Sequence, residues 1–237
     1  SGLDESLDMI YGAMAHAYFE ALGNGMDATE ALDATVAARR AADNAPEWKV
    51  ERDIADFRAM LERAHGWLQA SRGAFEQVAV EADVNVQVSD NVRIRGRLDR
   101  LERDSSGAVH IVDLKTSAYP PTVDATADNP QLATYQLALA HGEFDGGKVV
   151  TARDGANALS VGGAVLVYPN ANKTTLSTRE QAKKTADELD ELAAALDGLP
   201  EETAGPTLLA VVGPQCDRCA VRALCPVQPE GATIHHV

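Results

Sequence analysis

The chain has few cysteines, no long hydrophobic run and no surplus of positive charge. Its three cysteines lie near the C-terminus, and two of them form a C-x-x-C pair. This usage fits a metal site in a reducing compartment better than a disulfide scaffold, so we expect a cytoplasmic protein. The longest apolar run, residues 208–212, is far too short to cross a bilayer. The acidic start lacks the regions of a signal peptide, and we expect no membrane partner.

The composition is otherwise that of an ordinary soluble globular protein. The 237 residues are 45% hydrophobic and 24% charged, which is enough to bury a substantial core. The formal net charge is −15. Proteins that bind nucleic acids without sequence specificity gain their affinity from an excess of positive charge, and this chain has an excess of negative charge. This charge therefore counts against an autonomous high-affinity DNA binder.

The spacing of apolar residues and the positions of glycine and proline predict an α/β fold, with helices flanking a short, mostly mixed sheet. We expect helices near residues 7–22, 29–40, 50–71 and 131–141, and strands near 75–80, 85–88, 93–103, 109–115 and 163–168. A capping box at Ser177–Glu180 predicts a further helix that ends near residue 196. Residues 116–130 are expected to form a loop. Gly142–Lys148 matches the start of a Walker A motif, but Val149 replaces the required hydroxyl, so this segment is also predicted to be a loop.

The most informative stretch is the predicted hairpin of residues 93–115. A three-residue loop that ends at Gly107 would pair Asp104 with Ala108. Counting back along both strands then sets Asp99 opposite Asp113, with Cβ atoms roughly 4.5–5.5 Å apart. A four-residue loop would instead put the two aspartates on opposite faces.

Two carboxylates this close repel each other unless a cation lies between them. Lys115 lies two residues beyond Asp113 and shares its face. Magnesium is commonly bound through one or two carboxylates together with phosphate oxygens and water. The group therefore indicates a metal site for attack on a phosphodiester. The alternative is a half-buried strand that alternates for packing reasons alone, since Asp-Leu-Lys is a common tripeptide.

The ordered set of motifs along the chain resembles the RecB-type branch of the PD-(D/E)xK nucleases. Gly12-Ala-Met-Ala-His16 matches that branch's Gly-x-x-x-His helix, and Gly96–Arg100 matches its Gly-x-x-Asp-Arg strand. Asp113-Leu-Lys115 matches Asp-x-Lys, and Gln131–Tyr135 matches Gln-x-x-x-Tyr. The C-terminal cysteine segment further resembles the nuclease domains of AdnB-like helicase-nuclease subunits.

The resemblance implies a restriction-endonuclease-like core and a set of roles. His16, Asp99, Asp113 and the Leu114 carbonyl would bind Mg²⁺ or Mn²⁺. Lys115 would hold the attacking water or stabilise charge in the transition state. The resemblance places Gln131 and Tyr135 at the edge of the site. Glu81 is a further candidate ligand, but an exposed glutamate at a strand end is the preferred interpretation.

The cysteine segment Cys216, Cys219 and Cys225 offers three soft ligands where a tetrahedral site needs four. In the resembling branch a fourth cysteine lies before the Gly-x-x-x-His helix, and none precedes Cys216 here. We rank a 4Fe–4S cluster in the intact protein first, zinc with His235 or His236 second, and free thiols third.

The resemblance implies three parts of one nuclease domain: a helical part at residues 1–72, the nuclease core at 73–200 and a Cys-rich segment at 201–237. It implies a metal-dependent exonuclease of single-stranded DNA that works with a helicase motor on double-strand breaks. The acidic charge agrees with a domain that a motor supplies with DNA, along a path lined by Arg93, Arg95, Arg97, Arg100 and Lys115. The alternative is a non-catalytic module that guides DNA or docks a motor subunit.

Overall fold

The computed structural model describes residues 2–43 and 45–198. The helices are α1 (Gly2–Gly23), α2 (Ala28–Ala42), α3 (Glu47–Ser71), α4 (Val123–Ala127), α5 (Pro130–Ala140) and α6 (Ala186–Asp197). The strands are β1 (Phe75–Gln87), β2 (Arg93–Asp104), β3 (Val109–Leu114), β4 (Gly142–Asp145), β5 (Lys148–Thr151), β6 (Val161–Ala171) and β7 (Thr175–Ala182). Among the helices of these ranges, none is both long and apolar enough to span a membrane.

The strands form one mixed sheet of seven strands in the order β4-β5-β1-β2-β3-β6-β7. The β1/β5 and β3/β6 pairs are parallel, and the other four neighbouring pairs are antiparallel. The predicted α/β class with a mixed sheet flanked by helices is therefore confirmed, in agreement with a restriction-endonuclease-like core.

Helices cover both faces of the sheet. On β3, Val112 and Leu114 pack into a core with residues of α1, α2 and α3. Val109 and Ile111 instead join a second core with residues of α5 and α6. Successive side chains of a strand point to opposite faces, so the alternation along β3 separates the two cores.

The hairpin of β2 and β3 has the predicted register. The Asp104 amide donates to the Ala108 carbonyl (3.0 Å), and Gly107 has a φ of +88°. The ladder runs from Arg103 opposite Val109 to Arg100 opposite Val112. The next pair in this register is Asp99 and Asp113, so the three-residue loop is confirmed and the four-residue alternative is excluded.

Three predictions about local structure were wrong. Residues 75–80 and 85–88 belong to one continuous strand, β1, because pairing with β2 carries the backbone through the polar residues between them. Ser177–Glu180 lies within β7, paired with β6, and no helix starts there. The same residue pattern recurs eight positions later, where Thr185 and Glu188 form the capping box of α6.

The third wrong prediction is the loop at residues 142–148. This segment forms most of the β4/β5 hairpin. Its turn residues Gly146 and Gly147 have φ values of +56° and +82°. Two successive residues with positive φ are what a type I′ two-residue hairpin turn requires, and glycine meets that requirement without a steric cost. The predicted loop at 116–130 is also interrupted, by the short helix α4.

Candidate active site

Asp99 and Asp113 meet where β2 and β3 stop pairing. Beyond the pair of Arg100 and Val112 the ladder is replaced by a side-chain contact. The Leu114 amide donates to the Asp99 carboxylate at 2.9 Å. Asp113 lies close enough to Asp99 for the Asp99 charge to raise its pKa. The two carboxylates therefore face each other at the open end of the hairpin.

Lys115 lies against Asp113, with 2.9 Å between Nζ and Oδ2. The side chain of Asp113 is 16% exposed. Burial raises the pKa of Asp113 to about 6, and the charge of Asp99 adds to this effect while Lys115 opposes it. Burial alone would lower the pKa of Lys115, but Asp113 and Asp99 raise it above its ordinary value. The ammonium is therefore kept charged beside the two acids.

A second contact joins Asp99 to the helical part of the chain. His16 of α1 places its Nδ1 3.4 Å from Asp99 Oδ2. His16, Glu81 and Asp99 each offer one ligand atom, and these atoms all lie within 4.8 Å of one another. Asp99 thus belongs both to this trio and to the pair with Asp113. Carboxylate oxygens with one imidazole suit a hard or borderline divalent cation.

Glu81 was not expected to be part of the site. The interpretation of Glu81 as an exposed glutamate at a strand end is wrong, because β1 continues through it. In the β1/β2 register Val80 faces Arg100 and Ala82 faces Leu98, so Glu81 lies opposite Asp99. Its φ of +46° is unusual for a residue with a side chain and is a strained conformation of the kind found at functional sites.

The surroundings of Glu81 explain its acid–base behaviour. It lines a small cavity together with apolar side chains that include Phe19, Trp67 and Val80. Burial there raises the pKa of Glu81, and the nearby carboxylate of Glu20 raises it further, while His16 and Arg97 act in the opposite direction. The site therefore has two carboxyl groups whose charged forms lack full compensation, Glu81 and Asp113.

Tyr135 approaches the site from α5 and explains the glycine of the Gly-x-x-Asp-Arg motif. A Cβ on Gly96 would lie 2.4 Å from the Tyr135 hydroxyl, so only glycine leaves room for the ring. The hydroxyl donates to the Arg97 carbonyl over a long 3.5 Å. Burial raises the pKa of Tyr135, and a hydrogen bond with Gln131 acts against this. Gln131 and Tyr135 therefore lie together beside β2.

Gly12 has a similar role one helical turn before His16. A Cβ at Gly12 would lie 3.3 Å from Thr116 Oγ1, a close contact with the residue that follows Lys115. Glycine at this position lets α1 approach the end of β3. The Gly-x-x-x-His motif thus brings His16 toward Asp99 by allowing two elements to pack closely.

The predicted cationic path needs one correction. Arg100 is buried and donates to Glu102 at 2.6 Å, because successive residues of β2 alternate between the faces of the sheet. Its guanidinium is therefore neutralised by Glu102, although Arg100 lines the cavity beside Glu81 and Asp99, and it is a poor contact for a DNA phosphate. Arg97 is 61% exposed and contacts Asp83 at 3.1 Å and Glu81 at 3.9 Å. Arg93 and Arg95 are also exposed.

The remaining candidates lie outside the described residues. Cys216, Cys219 and Cys225, with His235 and His236, fall in the segment after residue 198. The prediction of a metal cluster there stays a prediction.

A comparison of the sequence with models of known protein families identifies the family of this chain. The sequence model of the PD-(D/E)XK nuclease superfamily matches residues 2–226. The chain belongs to the PD-(D/E)XK nuclease superfamily. Its members are generally metal-dependent nucleases, which agrees with the acidic cluster and the adjacent lysine. No curated protein matches the chain with significance.

Proposed function

We propose that this domain is a Mg²⁺- or Mn²⁺-dependent exonuclease that hydrolyses phosphodiester bonds of single-stranded DNA. The observation that carries the proposal is the convergence of ionisable side chains from three parts of the chain. His16 comes from α1, Glu81 and Asp99 come from β1 and β2, and Asp113 with Lys115 comes from the end of β3.

The donor set fits a divalent cation. The trio of His16, Glu81 and Asp99 offers two carboxylate oxygens and one ring nitrogen at mutual distances that a single ion can bridge. Asp113 and the Leu114 carbonyl are the further ligands that we propose. Burial and the charge of Asp99 disfavour the charged form of Asp113, as its raised pKa indicates. A bound cation would remove that penalty. When bound, the ion would neutralise phosphate charge and activate a water molecule.

Lys115 is the proposed catalytic cation. Its ammonium stays charged because Asp113 and Asp99 flank it. From this position it either orients the attacking water or stabilises the negative charge that develops on the phosphate oxygens. The ion pair with Asp113 holds the flexible lysine stem in one place before the substrate arrives, which lowers the entropy lost at the reaction step.

Gln131 and Tyr135 are proposed to position the substrate. Tyr135 lies beside Gly96 and Arg97 at the edge of the acidic cluster, and Gln131 is one helical turn before it on α5. Arg97 is exposed beside Glu81, so it is the described arginine best placed to contact a phosphate near the metal site.

The wider setting is also a proposal. Resemblance to RecB-type and AdnB-like nuclease domains supports a helicase motor as partner and double-strand break processing as the role. The net charge of −15 supports the same arrangement, because a domain with this charge gains little from non-specific attraction to DNA. A tethered motor would supply the strand at high effective concentration.

The cysteine segment is proposed to hold a 4Fe–4S cluster in the intact protein. Cys216, Cys219 and Cys225 supply one ligand fewer than such a cluster needs, so a fourth ligand must come from elsewhere. The chemistry proposed for Lys115 and the carboxylates does not depend on this cluster. Iron and sulfide analysis of anaerobically purified full-length protein tests the assignment, and absence of both would contradict it.

The nuclease proposal is tested by Asp113→Asn. Wild-type protein should degrade single-stranded DNA with Mg²⁺ or Mn²⁺ and should be inert in chelator. The Asn variant should lose activity by about a thousandfold or more, because it loses a carboxylate of the metal site and the partner that orients Lys115. Product release from an end-labelled oligonucleotide measures both.

The matched control is Asp124→Asn, a change of the same size at an exposed residue of α4. It should cut like wild type. Wild-type activity in the Asp113 variant would contradict the catalytic assignment. Wild-type protein that binds DNA but never cuts it would favour the non-catalytic module.

A further inference from the structure

A loop with exposed apolar side chains leaves the site directly after Lys115. We call residues 116–122 the rim loop. Tyr119 in this loop is 77% exposed, and Val123, which follows it, is 67% exposed. Aromatic side chains make up only 5% of the chain, and most of those described are at least half-buried. Tyr119 is the most exposed of the large apolar side chains in the described ranges.

Hydrogen bonds fix the backbone of the rim loop, while the Tyr119 side chain is exposed. The backbone carbonyls of the loop accept hydrogen bonds from residues that follow β6 and from β7. Ala118 accepts from the Asn172 amide at 2.9 Å, and Pro121 accepts from Arg179 Nε at 2.7 Å. The Tyr119 amide donates to Ser117 Oγ at 3.2 Å. The ring is therefore presented on a pre-ordered backbone, which lowers the entropy cost of using it for binding.

The rim loop is also close to the proposed chemistry. Thr116 is the residue that Gly12 of the His16 helix approaches. Tyr119 lies four residues beyond Lys115, so their Cα atoms are at most about 14 Å apart. That reach corresponds to about four stacked nucleotide steps of one strand. A strand with its scissile phosphate at Lys115 would therefore have bases within reach of the Tyr119 ring.

We propose that Tyr119 is a stacking platform for a base of single-stranded DNA entering or leaving the active site. The inference rests on the nuclease function proposed above. An exposed ring can stack only on a base that is not already stacked and paired, so Tyr119 would favour single strands over duplex. Stacking also needs no excess of positive charge, which suits a domain with a net charge of −15. Arg179, which holds the loop at Pro121, adds a cation near this rim.

The test measures binding of short labelled oligonucleotides to the full chain in chelator, where no cutting occurs. Tyr119→Ala should weaken single-strand binding by about 5- to 150-fold, the loss expected for one base–aromatic stack. Duplex binding should change less than twofold. Tyr119→Phe should bind within about twofold of wild type, because it keeps the ring.

A matched control is Trp48→Ala, which removes another exposed aromatic side chain, 69% exposed at the start of α3. Trp48 lies 19 residues before Trp67, the α3 residue beside the His16 cavity, so about 28 Å of helix separates it from the site. This variant should bind single strands like wild type. An equal loss in both variants would show a general effect of exposed aromatics and would overturn the proposal.

An abasic scan of the oligonucleotide identifies stacking itself. Removing the base that contacts Tyr119 should weaken wild-type binding as much as Tyr119→Ala does. The same abasic oligonucleotide should bind the Ala variant no more weakly than the intact one, because the interaction is already gone. Additive losses would show that Tyr119 and that base do not interact.

The outcomes separate the two proposals. If wild type cuts single strands and Tyr119→Ala binds them equally well, the stacking assignment alone is wrong, and the exposed ring serves another partner, such as a protein subunit. If wild type neither binds nor cuts DNA, the nuclease proposal fails and the stacking assignment fails with it.

Discussion

Strand β2 carries two acidic clusters three residues apart, and they are built in opposite ways. Glu102 is 1% exposed and contacts two guanidinium groups, those of Arg100 and Arg72. Asp99 faces two further carboxyl groups, Glu81 and Asp113, which are opposed by His16, Lys115 and the exposed Arg97 at 3.9 Å from Glu81. The first cluster is compensated and complete. The second has an excess of negative charge that a divalent cation would balance.

The comparison indicates how to tell a structural acid from a functional one. Burial alone does not distinguish them, since Glu102 is the more buried. The distinguishing feature is whether protein cations satisfy the carboxylate. An unsatisfied cluster costs folding free energy and persists where a ligand uses it.

The largest contrast is expected in stability. Glu102→Gln should lower the free energy of unfolding by about 3 kcal/mol, because it leaves the buried guanidinium group of Arg100 and the partly exposed one of Arg72 without their anion. Asp113→Asn in metal-free protein at neutral pH should leave stability unchanged or raise it, because it removes a charge that the fold disfavours. Urea unfolding midpoints compare the two, and equal losses would break the distinction between the clusters.

The second contrast concerns pH. The pKa of Asp113 is about 6 in the folded chain against 3.8 for the ordinary carboxyl group. The folded state therefore holds a proton that the unfolded state releases between these values. The contribution of Asp113 to the stability of metal-free protein should fall by about 3 kcal/mol as the pH rises from about 3 to 7, with about 2 kcal/mol of this loss between pH 4 and 6. Asp113→Asn should flatten this part of the profile.

Bound Mn²⁺ should stabilise the folded protein, whereas the loss of the Asp113 proton destabilises it. Mn²⁺ added above pH 6 should raise the melting temperature of wild type, because it binds the folded state only. It should not raise that of Asp99→Asn to the same extent, since Asp99 is shared by both halves of the cluster. A pH profile of thermal unfolding with and without Mn²⁺ measures both effects, and identical profiles would contradict the account.

The hairpin and the wrong predictions show which features of the structure could be predicted from the sequence. The position of Gly107 fixed the loop length, and the loop length placed Asp99 opposite Asp113. Local patterns were enough because the hairpin is a local structure. Glu81 was misjudged because its place depends on β1 continuing through a polar stretch, which pairing with β2 decides.

The same limit explains the other errors. The capping pattern at Ser177 was overridden by pairing with β6, and a second copy of the pattern at Thr185 forms the cap. Arg100 was grouped with the exposed arginines because the contact of Arg72 with Glu102, which completes the buried cluster around Arg100, joins residues distant in sequence. In each case a contact distant in sequence outweighed a local preference.

A smaller effect is expected at Gly96. Gly96→Ala would set a methyl group against the Tyr135 hydroxyl, so we expect a stability loss of about 1 kcal/mol and an activity loss of about tenfold. Gly66→Ala, where a Cβ meets nothing within 4 Å, is the control and should retain full activity. Single-turnover cutting rates test this, and an unaffected Gly96 variant would show that the position of Tyr135 does not matter.

The smallest expected effect concerns salt. With Arg100 buried, the exposed arginines of β2 are Arg93, Arg95 and Arg97. About three phosphate contacts predict a slope of about −2 for the logarithm of the single-strand binding constant against that of salt concentration. Arg97→Gln should reduce the magnitude of this slope by about 0.7. A slope typical of a large basic binder would contradict a domain that depends on a motor for DNA.

The most direct test of the central claim is a crystal of the full chain soaked with Mn²⁺ and measured at the manganese absorption edge. We predict an anomalous peak within bonding distance of His16, Glu81 and Asp99, and its absence in Asp99→Asn crystals treated in the same way. A wild-type crystal with no peak among these three residues, or with manganese bound only elsewhere, would contradict the assignment of this cluster as the metal site.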